Sequence, residues 1–152
     1  MDQPPKTRIY PPVYFLLHLL MMVGLHLFVP FARWIPSPLN YLGVAPMLAG
    51  IVLAVSGRSL FIRHGTTVRP FEESSALVVS GPFRLTRNPM YLGMALFLAG
   101  VAVCLGTVTP WLAVPAFVWL ITARFIRHEE AMLEQRFGVQ YREYKKRVRR
   151  WV

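Results

Sequence analysis

Two short stretches of this chain hold residue types that can do chemistry together. The first runs from Ser80 to Gly93 and reads SGPFRLTRNPMYLG. Gly81-Pro82 marks a turn, and Asn88-Pro89 opens a helix, since proline lacks an N–H that the first helical turn would leave unpaired anyway. Arg84 and Arg87 stand before that start, and Tyr91, Leu92 and Gly93 stand just inside it. A guanidinium beside a helix N-terminus suits a carboxylate or a phosphate. The same arginines also serve as charge determinants of membrane topology. Gly93 either lets two helices approach closely or leaves room for a flat ring. The second stretch is His128-Glu129-Glu130. Two adjacent carboxylates on a basic surface either open a helix and pair with Arg124 or Arg127, or accept hydrogen bonds from ligand hydroxyls or amines. His64 and His128 fall near these stretches and are site candidates. His18 and His26, eight apart in one apolar block, have no third ligand nearby and are read as interhelical hydrogen-bonding groups rather than a metal site. The chain has no phosphate loop, nucleophile elbow or dinucleotide fingerprint.

The surrounding sequence is built for a membrane. Of 152 residues 55% are hydrophobic, the mean hydropathy is +0.42, and the apolar residues lie in long blocks. A hydrocarbon core of about 30 Å needs roughly 20 apolar residues per helix. The blocks predict spans over about 13–30, 39–62, 89–107 and 110–127, within a single domain over 1–152. Pro30 and Trp34 follow the first block where a cleavable leader would have small residues, so it is read as a span, with Trp34 as an interfacial anchor. Gly106 to Pro110 leaves room only for a hairpin turn, which makes spans three and four antiparallel neighbours. Pro115 predicts a kink in span four. The lone Cys104 has no partner within the chain.

Charge sets the orientation. Of 17 Lys and Arg residues, Arg33 alone falls on one side of the membrane in this scheme. The rest fall on the other, which the positive-inside rule makes the cytosol, with both termini there. Residues 129–148 predict an amphipathic C-terminal helix. Leu133, Phe137, Tyr141, Tyr144 and Val148 share one face, Gly138 is its point of interruption, and Arg142, Lys145, Lys146, Arg147, Arg149 and Arg150 form the basic side. Such a helix is expected to lie on an anionic leaflet. Basic groups crowded against membrane spans exclude nucleic acid as the expected partner. The fold class is therefore all-α integral membrane, with about four transmembrane helices and a cytosolic amphipathic C-terminal helix.

SGPFRLTRNPMYLG, followed about 36 residues later by HEEAMLEQRFGVQYREYKKRV, resembles the isoprenylcysteine carboxyl methyltransferase family and the related phospholipid N-methyltransferases. The resemblance covers the chain from His64 onward. It rests on a Gly-Pro-aromatic turn, an Arg-x-Pro-x-Tyr-x-Gly run, a Glu-Glu pair after the next hairpin, and Phe-Gly-x-x-Tyr-x-x-Tyr with a basic end. Asn88 stands where the family usually has His, and Arg149 where it often has Pro; the Asn form resembles bacterial-type members.

The resemblance implies methyl transfer from S-adenosylmethionine to a lipophilic acceptor, a carboxylate, amine or thiol, at the cytosolic face of what would be a bacterial inner membrane. That cofactor carries a sulfonium, an amino and carboxylate pair, a ribose diol and an adenine. Arg87, Asn88 and the helix start at Pro89 suit the carboxylate. His128, Glu129 and Glu130 suit the amine and diol, and Tyr91, Leu92 and Gly93 suit the ring. Arg84 or Arg147 would orient the acceptor headgroup, and His64, Tyr141 and Tyr144 are further candidates to line the site. A membrane reductase using NADPH, or a non-catalytic module binding membrane lipids through its basic end, are the alternatives.

Overall fold

The computed structural model describes residues 10–65 and 75–152. The polar lead before Tyr10, and part of the loop expected between spans two and three, lie outside the described residues. The described residues form six α-helices with no strand: α1 (Pro11–Phe28), α2 (Val44–Arg63), α3 (Pro89–Leu105), α4 (Ala113–Ile121), α5 (Arg127–Phe137) and α6 (Val139–Arg147). Three stretches are long and apolar enough to cross a membrane: Pro11–Phe28, Leu39–Arg63 and Thr109–Phe137. The fourth, α3, is apolar but only 17 residues long, about 26 Å. Pro89 starts it and Gly106, left-handed at φ 71°, ends it. Exposed Leu, Val, Ile and Phe side chains along α1 and α2 present the surface that lipid tails cover. This is an integral membrane protein.

Helices α2 and α3 pack through glycine. A Cβ at Gly50 would overlap the Gly93 carbonyl oxygen, one at Gly93 would overlap the Gly50 oxygen, and Gly43 and Gly100 are opposed in the same way. The pairing 50–93 and 43–100 makes the helices antiparallel, with backbones in contact. The expected ring slot at Gly93 is therefore corrected. Its side-chain direction is filled by Gly50 and Ala54, so it is a packing residue. On the other side of α3, Tyr91 and Leu98 join Met22 of α1 and Phe117, Ile121 and Phe125 in one core. Aromatic edges lock α1 to the fourth span, Tyr14 on Phe125 at 5.7 Å and His18 on Phe117 at 5.4 Å. His18 donates to its own helix at Tyr14 O, whereas His26 reaches Thr107 across elements at 2.9 Å. At that same end the amides of Trp34 and Ile35 donate to Gly106 O, and Val108 donates to Ala32 O, tying the first loop to the α3–α4 turn.

The fourth span departs from expectation in two ways. It carries a turn of π-helix at Thr122–Ile126, and Pro115, where the sequence predicts a kink, falls in the first turn of α4. In addition, no separate helix begins at Glu129. The span runs on without interruption from Thr109 to Phe137, and the break comes at Gly138, with φ 50° and ψ −115°. That conformation is open to glycine and strained for other residues. No atom lies within 4 Å of where a Cβ would be, so substitution there tests the backbone alone. Gly138→Val is expected to lower unfolding stability by about 1–3 kcal/mol, measured by thermal denaturation in detergent.

The apolar face of α6 also has a different neighbour from the leaflet expected. Tyr141, Tyr144 and Val148 are buried with Val78 and Phe83, and Leu133 and Phe137 pack against them. The Tyr144 hydroxyl, pushed up to about 12 by burial, stays neutral and donates to Phe83 O at 2.6 Å. This contact pins α6 to the turn that precedes α3, while Arg142, Lys146, Arg147 and Arg149 stay exposed.

Candidate active site

The site forms where α3 begins and α5 leaves the fourth span. A short 3-10 turn, Gly81–Arg84, buries Phe83 and hands the chain to Thr86, Arg87 and Asn88. Arg87 is 10% exposed and its Nη2 donates to Glu130 Oε1 at 2.8 Å. Its Nη1 donates to the carbonyls of Val148 and Lys145 at 3.3 and 3.4 Å. Its Nε is buried with no acceptor among the described residues. Glu130, 11% exposed, also receives Arg150, from Nη2 to Oε2 at 2.7 Å and from Nε to Oε1 at 3.1 Å. The adjacent Glu129 accepts from the Tyr91 hydroxyl at 2.7 Å. The two glutamates therefore look toward different partners, one to the arginine pair and the other to α3.

A turn of π-helix, Thr122–Ile126, precedes the two glutamates. One residue added to a helix rotates everything after it by about 100°. Ile121, Phe125 and Ile126 are all fully or nearly fully buried, and within four residues the same side of the helix presents Glu129 and Glu130 to Tyr91 and Arg87.

The predicted residues do not all meet. Arg87, Asn88, Tyr91, Glu129 and Glu130 come together, with Pro89 buried as the first residue of α3. Leu92 lies in the same turn as Tyr91, half-buried, and His128 is exposed on α5. Arg84 and Arg147 are exposed and outside this cluster; Arg147 lines a groove of about 420 Å³ with Leu77, Val79, Val139, Gln140, Glu143 and Tyr144. His64 donates to Leu60 O at the end of α2. Tyr141 and Tyr144 are buried in the core under α6. Sequence reasoning missed Thr86 and Arg150. Thr86 is fully buried, accepts from Asn88 N and donates to Arg150 O. The signal was slight: a hydroxyl two residues before a helix start, and one arginine among several.

The residues present fit an S-adenosyl cofactor in their donor set. Arg87 offers a buried N–H without a partner among the described residues, the first turn of α3 offers backbone N–H groups and a favourable dipole for an anion, and Glu129 and Glu130 offer acceptors for a cation. Against this, Arg150 already occupies Glu130, and the Arg149 and Arg150 carbonyls already occupy the Arg87 amide and Asn88 Nδ2.

A family profile described as phospholipid methyltransferase matches residues 39–140. The chain is 40% identical over 78 residues to protein-S-isoprenylcysteine O-methyltransferase A of Arabidopsis thaliana, across 51% of this chain and 40% of that protein. It is 33% identical over 116 residues to the B protein of the same plant, across 76% of this chain and 57% of that one. It is 43% identical over 63 residues to an uncharacterised protein of Haemophilus influenzae, across 41% of this chain and the whole of that protein. The chain thus spans about half the length of the Arabidopsis relatives it matches. No solved structure matches it.

Proposed function

This chain belongs to the phospholipid methyltransferase family, and on that premise we propose that it transfers a methyl group from S-adenosylmethionine to a lipophilic acceptor at the cytosolic face of a bacterial inner membrane. The observation that carries the reading is the Arg87–Glu130 pair at 2.8 Å. It joins two motifs 43 residues apart in sequence at the edge of the apolar bundle. All of 1–152 serves as one domain in this reading, with both termini cytosolic by the positive-inside rule.

In this reading the bound cofactor supplies an electrophilic methyl on a sulfonium, and the protein's task is alignment. Arg87, held by Glu130 and by two backbone carbonyls, takes the carboxylate together with Asn88 and the α3 N-terminus at Pro89. Glu130 takes the ammonium group and Glu129, fixed by Tyr91, the diol, with Leu92 and His128 beside them. Arg84 and Arg147, exposed near the membrane edge, orient the acceptor headgroup. A carboxylate acceptor is already ionised at neutral pH, its pKa lying near 4, and needs no base. Charge is lost from sulfur as the methyl moves, so exclusion of water around the bound cofactor favours transfer.

Calorimetry of the purified chain with S-adenosylhomocysteine, paired with incubation of methyl-labelled cofactor and host membrane extract, tests this. Binding and a labelled lipophilic product are expected. An inert chain that binds neither form of the cofactor overturns the proposal.

A further inference from the structure

We infer that Val148–Trp151, the segment that follows α6, is an internal pseudo-ligand that covers the site and must leave before the cofactor enters. The inference rests on the methyltransferase reading above and adds a regulatory element to it. Polar contacts hold the segment along its length, beginning with the Val148 carbonyl, which accepts from Arg87 Nη1 at 3.3 Å. The Arg149 carbonyl accepts from the Arg87 amide at 3.0 Å. The Arg150 carbonyl accepts from Thr86 Oγ1 at 3.0 Å and from Asn88 Nδ2 at 2.9 Å. The Arg150 guanidinium lies bidentate on Glu130. Trp151 then packs against the core that contains Tyr91 and Phe125.

These contacts have a chemical pattern. The segment gives carbonyl oxygens to the donors at the start of α3 and a cation to the carboxylate at Glu130. An α-amino acid makes the same paired demand, with its carboxylate toward donors and its ammonium toward an acceptor. The methionine end of the proposed cofactor is such a group. Both Glu130 oxygens are taken, by Arg87 and Arg150, so an incoming ammonium has to displace one of them. Arg150 is the one that yields. Its side chain is 37% exposed, against 10% for Arg87, so leaving Glu130 returns it to water, while Arg87 would be left buried and unpaired. A latched protein binds in proportion to the fraction that is open.

The test uses the full chain in detergent micelles at low salt, comparing wild type, Arg150→Gln and Arg150→Lys. Calorimetry with S-adenosylhomocysteine is expected to show about fivefold tighter binding for Arg150→Gln, with Arg150→Lys in between because it keeps the charge and loses the fork. The gap narrows as sodium chloride screens the ion pair. Hydrogen exchange of the peptide over 148–152 is expected to quicken in ligand-free Arg150→Gln, and in wild type when ligand is added. Equal or weaker binding by Arg150→Gln overturns the latch, as does slower exchange on ligand addition. If no form binds the ligand, the methyltransferase reading fails; the ligand-free exchange comparison still decides whether Arg150 closes the segment, and unchanged exchange there overturns the latch on its own.

Discussion

Glu130→Ala is expected to remove cofactor binding and to lower unfolding stability by about 3–5 kcal/mol, the usual cost of deleting one partner of a buried ion pair. Arg87 is the reason. Its guanidinium is nine-tenths buried and pairs with the Glu130 carboxylate; without Glu130 two backbone carbonyls remain to it, and these do not neutralise a charge. Arg150 is more exposed and recovers hydration when Glu130 is lost, so the penalty falls on Arg87. A matched control separates a buried pair from an ion pair in general. Glu134 pairs with Lys145 at 2.8 Å, but both side chains are about a third exposed. Glu134→Ala is therefore expected to cost under about 1 kcal/mol and to leave cofactor binding intact. Thermal unfolding in detergent and calorimetry with S-adenosylhomocysteine read the two effects. Equal losses from both variants would show that burial is not what gives Glu130 its weight.

The meeting of Arg87 with Glu130 was legible in the sequence because it follows from covalent reach. A turn as short as Gly106 to Pro110 has to fold spans three and four back on each other, which returns Pro89 and the Glu-Glu pair to one membrane edge. Gly138 was legible as a break for a similarly local reason. The π turn was not, since Thr122 to Ile126 contains neither glycine nor proline to mark it. The docking of Arg150 was hidden more deeply. It depends on the backbone carbonyls of Arg149 and Arg150, which any residue would carry, reaching donors more than 60 residues away. Basic residues near α6 looked alike in sequence, and only the folded chain separates Arg150 from the exposed Arg147 and Arg149.

The glycines were half legible. Gly43, Gly50 and Gly57 recur every seven residues, as do Gly93 and Gly100, and that repeat keeps one stripe of each helix facing a partner. In sequence Gly93 fits either close helix packing or a ring slot. The structure makes its consequence large. In lipid the hydrophobic effect does not drive helices together, and α2 and α3 are held by close van der Waals contact. Gly93→Leu puts a branched side chain where the Gly50 carbonyl and Ala54 stand. Neither can retreat, because both belong to the body of α2. The helices would have to separate by the width of a side chain, taking Tyr91 away from Glu129 and the α3 start away from Glu130. The expected result is loss of the folded protein, beyond the 1–3 kcal/mol typical of an overpacked core, seen as aggregation on size-exclusion chromatography. Gly24→Leu is the control. It lies in α1 with open space around its Cβ position, and it is expected to fold and elute as wild type. A well-folded Gly93→Leu that still binds S-adenosylhomocysteine would mean that the glycine contact does not position the site.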